Sequence, residues 1–496
     1  MVFIDGTVVN VALPALQRQF NASVSQAQWI VESYALLLAA LLLVGGTAGD
    51  RFGRRRVFAI GVGLFAIASA WCGVTGSIEQ LILARAAQGI GGALLVPGSL
   101  ALISASFVER ERGKAIGTWS GYTAITAALG PVFGGFLIEH FSWRYAFLIN
   151  IPFALTVLAL TFAHVPESHN ARAPANLDWP GAALASIGLG CLVYGLIESS
   201  NKGWSDWSVI GTLVLAIVML AAFIVVEMRQ PSPMLPLILF RSRNFAGTNL
   251  LTLLLYAALG GSLLFFPLNL IQVQVYSATA AGAALLPFIL IMFVLSRWTG
   301  GLVDRYGAKR PLMIGPAIAA LGFAAFALPG IGGSYWISFF PAVLLLGFGM
   351  AVSVAPLTTT VMNAVETGLA GTASGVNNAI SRVAALLAIA LFGIVMSQTF
   401  NRDFEQRIKV LNVTPSALQE VVAQRSKLAA IELPAKAPAA DREVLKSAIG
   451  ESFVYGFRRV MLLSALLALA SAMSAWLMID DRPEGDPKRT SAIDGR

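Results

Sequence analysis

The stretch Gly46-Thr47-Ala48-Gly49-Asp50-Arg51-Phe52-Gly53-Arg54-Arg55-Arg56 has the form G-x-x-x-D-R-x-G-R-R and lies between two long apolar runs. That placement predicts a tight turn joining two helices at a membrane face. The pattern returns 254 positions on as Gly300-Gly301-Leu302-Val303-Asp304-Arg305-Tyr306-Gly307-Ala308-Lys309-Arg310, again after an apolar run. A generic basic loop has no reason to keep Asp, Arg and Gly in register twice. A duplicated helical bundle does. Gly53 and Gly307 fall where such a turn needs φ > 0, and the arginine clusters mark the cytoplasmic side.

Composition agrees with a membrane protein. Of 496 residues, 57% are hydrophobic and 12% charged, with a mean hydropathy of +0.74. Soluble domains carry about a quarter charged residues. The net charge of +8 gives no nucleic-acid signal, because the basic residues fall in loops between apolar runs. Cys72 and Cys191 lie in different runs, so neither a disulfide framework nor a zinc site is expected. His140, His164 and His169 sit near run ends, without metal-ligand spacing. No cleavable signal peptide is read at the start.

Apolar runs of spanning length number fourteen: 1–20, 27–49, 56–75, 79–105, 114–138, 143–165, 178–198, 207–228, 246–270, 278–299, 310–329, 335–358, 371–399 and 460–479. They must be helical, since lipid satisfies no backbone group. The first holds Pro14 and is short against the ~20 residues a span needs. A true start upstream of Met1 is therefore expected.

Alternate loops carry Arg51, Arg54, Arg55 and Arg56, then Arg110, Arg112 and Lys114, then Arg172, then Arg229, Arg241 and Arg243, then Arg305, Lys309 and Arg310. The opposite short loops carry only Arg18, Arg144 and Lys202. The positive-inside rule puts both termini in the cytoplasm and requires an even number of spans. The spacing of the repeated turn divides the chain into a six-helix bundle (1–165), two inserted spans with their linkers (166–244), a second six-helix bundle (245–479) and a cytoplasmic tail (480–496). The segment 400–459 has 17 charged residues in 60 and faces outside on this topology. Helices are expected there at Arg402–Leu411 and Pro415–Leu428, ended by the Pro434–Pro438 breaker.

Ionisable residues inside spans are costly and mark function by default. Five stand out: Asp5, Glu32, Arg85, Glu198 and Arg382. Arg85, Gln88, Gly89 and Gly92 share one helix face, which points to a neighbouring helix or a wet cavity rather than to lipid. Gly130-Pro131 and Gly134-Gly135, with Gly117 and Gly121, provide a small-residue surface for close helix approach, bent at Pro131. Asp5 lies nine residues before Pro14, ~13 Å along a helix, and Glu32 enters the second span nearer the outside. No phosphate-binding loop exists, since Gly113-Lys114 is followed by alanine, and nothing resembles a catalytic set. No enzyme activity and no cofactor are expected.

These residues resemble the major facilitator superfamily, and within it the fourteen-span drug:proton antiporters. Gly46–Arg56 looks like the superfamily's loop motif, Leu81–Gly92 its fourth-span arginine motif, and Gly130–Gly135 the fifth-span motif of exporters. The run from Asp5 to Pro14 is similar to the first-span motif of the fourteen-span group. Trp143-Arg144-x-x-Phe147-x-x-Asn150-x-Pro152 resembles its sixth span, and Gly371–Arg382 its thirteenth. The family often has glycine where this chain has Thr126, and it carries more residues ahead of the aspartate.

The resemblance implies an all-α fold of two six-helix bundles plus two inserted spans, working by alternating access in the inner (cytoplasmic) membrane. Its expected function is export of hydrophobic or cationic drug-like compounds in exchange for protons. Asp5, Glu32 and Arg85 are the candidates for proton coupling. Asn10, Gln88, Glu198 and Arg382 are candidates for the substrate cavity. Gly46, Asp50, Arg51, Gly53, Arg54, Asp304, Arg305 and Gly307 are candidates for the conformational switch. Expected partners are small-molecule substrates, protons and the lipid bilayer, with a periplasmic adaptor protein as a further candidate. The competing readings are a dedicated exporter of one endogenous metabolite and a receptor or scaffold using the 400–459 segment.

Overall fold

A computed structural model describes residues 1–107, 109–169, 177–231, 233–299, 301–365 and 370–480. Among these, the elements are helices joined by turns. The chain runs through α1 (Val2–Phe20), α2 (Val24–Phe52), α3 (Arg54–Val74), α4 (Ile78–Ser106) and α5 (Glu109–His140). The next crossing is broken into α6 (Tyr145–Leu148) and α7 (Asn150–His164). Then come α8 (Trp179–Lys202), α9 (Trp207–Arg229) and α10 (Arg243–Leu268), the last running into a π-helical turn at Asn269–Val273. The rest is α11 (Ala278–Ala283), α12 (Leu286–Thr299), α13 (Leu302–Tyr306), α14 (Lys309–Phe326), α15 (Tyr335–Ser338), α16 (Phe340–Asn363), α17 (Ala370–Ile408), α18 (Pro415–Ala423) and α19 (Ala439–Met478). Eleven described helical stretches are long and apolar enough to cross a membrane. Helices α1, α5 and α14 pack among them.

Local chemistry sets the ends. Ser23 and Gln26 form a capping box that starts α2, satisfying two free N–H groups of its first turn. Gly53 ends α2 at φ +107° and Gly307 ends α13 at φ +77°, backbone that side chains disfavour. Asp206 caps α9, and its bonds from the Ser208 hydroxyl and backbone N–H hold the carboxyl below its usual range. Along α9 the side chains of Ile210, Val214, Ile217 and Val218 are exposed, whereas Val209, Ala216 and Phe223 are buried. An apolar surface of that length is stable against lipid, not water.

Helices α1, α2 and α5 meet α10, α11, α12 and α17. Gly135 and Gly282 bring α5 and α11 into backbone contact, where an added Cβ at either would collide with a carbonyl of the facing helix. Glu139 on α5 accepts a bond from the backbone N–H of Thr279 at 3.2 Å. Gln28 on α2 donates to the Ile389 carbonyl of α17 at 2.8 Å, and Gln272 donates to Gln17 at 2.8 Å. Helices α8 and α9 pair with each other, and α8 lies on both α2 and α17. Leu189, Val193 and Ile197 of α8 pack there with Leu386, Ala390 and Ile394 of α17.

The 400–459 segment differs from expectation. Arg402–Leu411 is no separate helix, because α17 continues to Ile408, and α19 begins at Ala439, far before the expected span. At 39 and 40 residues, each helix is about 60 Å long, twice the hydrocarbon thickness. Arg407 of α17 bonds Asp403 at 2.6 Å and also Glu451 of α19, tying the two extensions together. Between them, α18 is shorter than expected, and a 3-10 turn at Arg425–Ala430 follows it. That turn lies against α1 and α2, where Lys427 donates to Asn21 and, at 2.9 Å, to Gln424.

Candidate functional site

Four helices of the first half converge on Asp5. The Asp5 side chain is 0% exposed and the Arg85 side chain on α4 is 1% exposed, so the pair is fully out of water. Arg85 Nη1 lies 2.5 Å from Asp5 Oδ2 and donates to Gln88 Oε1 at 2.6 Å. Gln88 Nε2 donates to Asp5 Oδ1 at 2.8 Å and to Ser69 Oγ of α3 at 2.8 Å. Asn150 Nδ2, at the first turn of α7, donates to Asp5 Oδ1 at 3.3 Å. Arg85 Nε donates to the Ile30 carbonyl at 3.1 Å, and its guanidinium lies 4.2 Å from the Tyr34 ring centroid. Only donors reach the Asp5 oxygens, which is the set an ionised carboxylate accepts. A buried charge pair survives only with its remaining valences filled in this way.

Helical spacing explains the assembly. Arg85 and Gln88 are one turn apart and reach the same partner. Gly89 and Gly92 on that face abut α2 rather than a wet cavity: an added Cβ at Gly89 would lie 2.5 Å from the Tyr34 carbonyl oxygen. Close approach of α4 to α2 is therefore what lays Arg85 against Tyr34. On the other side, an added Cβ at Gly134 of α5 would lie 2.5 Å from Val8 Cγ1, and one at Gly130 would strike the Thr7 hydroxyl. Thus the small-residue face of α5, bent at Pro131, holds α1 close. Gly117 and Gly121 belong to the same helix, but their surroundings lie outside the described residues.

The other expected site residues separate into distinct places. Glu32 is 0% exposed, and neither carboxyl oxygen has a partner. It stands one turn from Gln28, on the α2 face that meets α17. Arg382 on α17 is half-buried. Asn10 is half-buried on α1. Glu198 is remote from Asp5 and pairs with Lys202 at 3.7 Å near the end of α8, because i,i+4 spacing favours that local bridge.

The turn that organises the sequence is held by two carboxylates, Asp50 and Glu167. Asp50 binds Arg54, at 2.7 Å, rather than a helix N-terminus. The first N–H groups of α3 are instead taken by Glu167, which accepts from Arg55 N at 3.0 Å and Arg56 N at 3.3 Å. Gly53 turns those N–H groups toward the segment after α7, where Arg54 N also donates to the Ser168 carbonyl at 2.9 Å. Gly46 meets Pro97, Arg51 lies over Phe52, and Arg305 lies over Tyr306. In the repeated turn, Gly300 and the Asp304 side chain lie outside the described residues.

Sequence reasoning missed Asn150, Ser69, Tyr34 and Glu167 as site members. Asn150 carried a signal, since it sits in the Trp143–Pro152 pattern. The other three have ordinary residue types for their positions.

The profile of the Major Facilitator Superfamily matches residues 1–389. The chain is 32% identical over 483 residues to the tetracenomycin C resistance and export protein of Streptomyces glaucescens, covering 96% of this chain and 88% of that protein. It is 36% identical over 420 residues to the multidrug resistance protein Stp of Mycobacterium tuberculosis, covering 82% and 76%. Among solved structures it resembles an inward-facing, unoccupied bacterial homolog of the human lysosomal transporter Spinster. The TM-score is 0.67 at 17% identity, with 97% and 95% of the chains covered.

Proposed function

The chain belongs to the Major Facilitator Superfamily, a multi-pass membrane transporter by fold and kinship, and from that premise we propose that it exports amphipathic drug-like compounds in exchange for protons. The buried cluster of Asp5, Arg85, Gln88 and Asn150 carries this reading. A carboxylate so placed has two stable states. Ionised, it binds Arg85; protonated, it releases Arg85 to other acceptors and becomes neutral. The inward passage of one proton supplies ~2.3 kcal/mol per 100 mV, enough to drive export if loading and substrate binding alternate.

We take α1, α5 and α14 with the eleven long apolar helices as fourteen crossings, with both termini in the cytoplasm of a cell whose inner membrane holds the protein. The outer contacts of α5 with α11 and of α2 with α17 belong to an outward-closed state, which alternating access would open. Glu32, buried without a partner at the α2 and α17 contact, becomes accessible from outside when that contact opens, and so acts as the first proton acceptor. The arginine-rich turn, with Asp50 and Arg54, serves the switch between states. Dedicated export of one compound is the second reading, favoured by a relative named for tetracenomycin C.

The test is uptake of a fluorescent drug-like compound into everted vesicles under an imposed pH gradient alone. Accumulation by the parent, lost in Asp5→Asn with substrate binding retained, is the expected result. Accumulation unchanged in Asp5→Asn removes Asp5 as the coupling group.

A further inference from the structure

Two buried carboxyls stand apart from the Asp5 cluster. Asp178 caps the start of α8 and Glu227 lies in the last turn of α9, at 7% and 3% exposure. Each has one oxygen filled. Asp178 Oδ1 accepts from Gly181 N at 2.9 Å and from Gln230 Nε2 at 3.1 Å, and Glu227 Oε2 accepts from Leu235 N at 2.9 Å. The other oxygens, Asp178 Oδ2 and Glu227 Oε1, are buried without a donor. They converge. An added Cβ at Gly181 would lie 2.5 Å from Asp178 Oδ2 and 2.7 Å from Glu227 Oε1, so both border one point, and the two groups are within hydrogen-bonding reach.

Two lone-pair oxygens facing each other out of water are unfavourable unless something positive lies between them. No side chain supplies it. Of the elements packed against α8 and α9, α2 carries Glu32, Asp50 and Arg51, α17 carries Arg382 in its span, and Arg229 ends α9. Among the described residues none of these forms an ion pair with either carboxyl, and Asp50 is taken by Arg54. Hard metal cations take six or more oxygens. A proton needs only two, since a protonated carboxyl donates to its neighbour.

We propose that Asp178 and Glu227 hold one proton between Oδ2 and Oε1, a proton site separate from Asp5, and that this proton locks the joint between the inserted helices and the second bundle. The proton belongs to the pair rather than to either residue. Gln230 and Leu235 lie on the linker that runs from α9 through Leu237–Arg241 into α10. While the proton is held, α8, α9 and this linker form one hydrogen-bonded unit; its loss sets like charges against each other and loosens the unit. Leu177, beside Asp178, packs with Ala48 of α2 and Val57 of α3, so the lock adjoins the arginine-rich turn. The proposal goes beyond the export reading and does not depend on which compound is carried.

The experiment compares the parent with Glu227→Gln, Asp178→Asn and the double variant, each as purified full chain in one mildly acidic detergent buffer. Either single amide mimics the protonated pair. Its oxygen takes the outer donors, its NH2 donates to the remaining carboxylate, and the net charge is unchanged. Both single variants are expected to melt within about 1 °C of the parent. Two amides cannot satisfy Gly181 N, Leu235 N and each other at once, so the double variant should lose about 1–3 °C. The infrared band of a protonated carboxyl should be weaker by the same amount in either single variant. As pH rises, the Leu235 amide should exchange with heavy water several-fold faster in the parent than in Glu227→Gln, whose NH2 does not titrate. Single variants melting several degrees above the parent would show two ionised carboxylates and overturn the shared proton. So would an undiminished infrared band, or a parent Tm raised by added Na+, K+ or Mg2+ and unresponsive in both single variants, which marks a metal site. Equal Leu235 exchange in parent and Glu227→Gln across the pH range would overturn the lock. Should the double variant not fold, the single variants carry the test.

Discussion

Removing one end of the Asp5 and Arg85 pair should cost more than removing both. In Asp5→Asn, an amide replaces a carboxylate that accepts from Arg85 through one oxygen and from Gln88 and Asn150 through the other. An amide has one acceptor oxygen. If that oxygen faces Arg85, its NH2 faces two other amide donors; if it is flipped, its NH2 faces the guanidinium. Either way a buried positive charge loses its counterion. Such a break costs ~3–5 kcal/mol. Spread over an unfolding entropy of ~2.1 cal/mol/K per residue, that lowers Tm by ~3–5 °C for a chain of this length. Arg85→Gln in the Asp5→Asn background removes the uncompensated charge. It also loses the bond to the Ile30 carbonyl and the Tyr34 contact, so recovery should be partial. The double variant should nevertheless melt above Asp5→Asn, with a coupling energy of ~2–3 kcal/mol. Thermal unfolding of all four proteins in one detergent closes the cycle. Additive losses would refute the pair as an energetic unit and, with it, the argument that releasing Arg85 is a consequential event.

Three further outcomes follow from the fold. With Cys72 and Cys191 replaced, a single cysteine at exposed Glu432 should react with an impermeant maleimide on intact cells, and one at exposed Arg243 should not; the reverse pattern would invert the topology. Paired cysteines at Asn21 and Lys427 should cross-link and stop transport until reduced, because the bond between them joins the outer turn to the end of α1. Transport that continues through a complete cross-link would show that this contact need not open. Gly135→Ala places a methyl group against the Ala278 carbonyl and should hold the outer end open. A cysteine at Gln28, whose amide closes α2 on α17, should then be labelled from outside faster than in the parent; an unchanged rate would show that α5 and α11 do not govern closure.

Much of this molecule is legible along the chain, and for one reason. Lipid leaves the backbone no alternative to helix, so apolar length alone locates the long helices. Gly53 and Gly307 were legible because positive φ selects glycine locally. Asp5 and Arg85 were legible as costly residues, since a charge inside a span requires a reason wherever it points. Their partners were not. Gln88 can be placed on the Arg85 face by spacing, but Tyr34 reaches the cluster because Gly89 lets α4 lie against α2, Ser69 because Gly61 and Gly91 let α3 lie against α4, and Asn150 because the fold brings the start of α7 to Asp5. Glu167, to which the sequence assigned no role, takes the N-terminus of α3 while Asp50 pairs with Arg54, because a helix N-terminus accepts whichever carboxylate the fold brings to it. The surroundings of Arg382 are likewise a tertiary fact. Its type and depth were visible in the sequence, whereas its neighbours depend on every helix packed around it, and only the folded chain decides which charges near α17 are already spoken for.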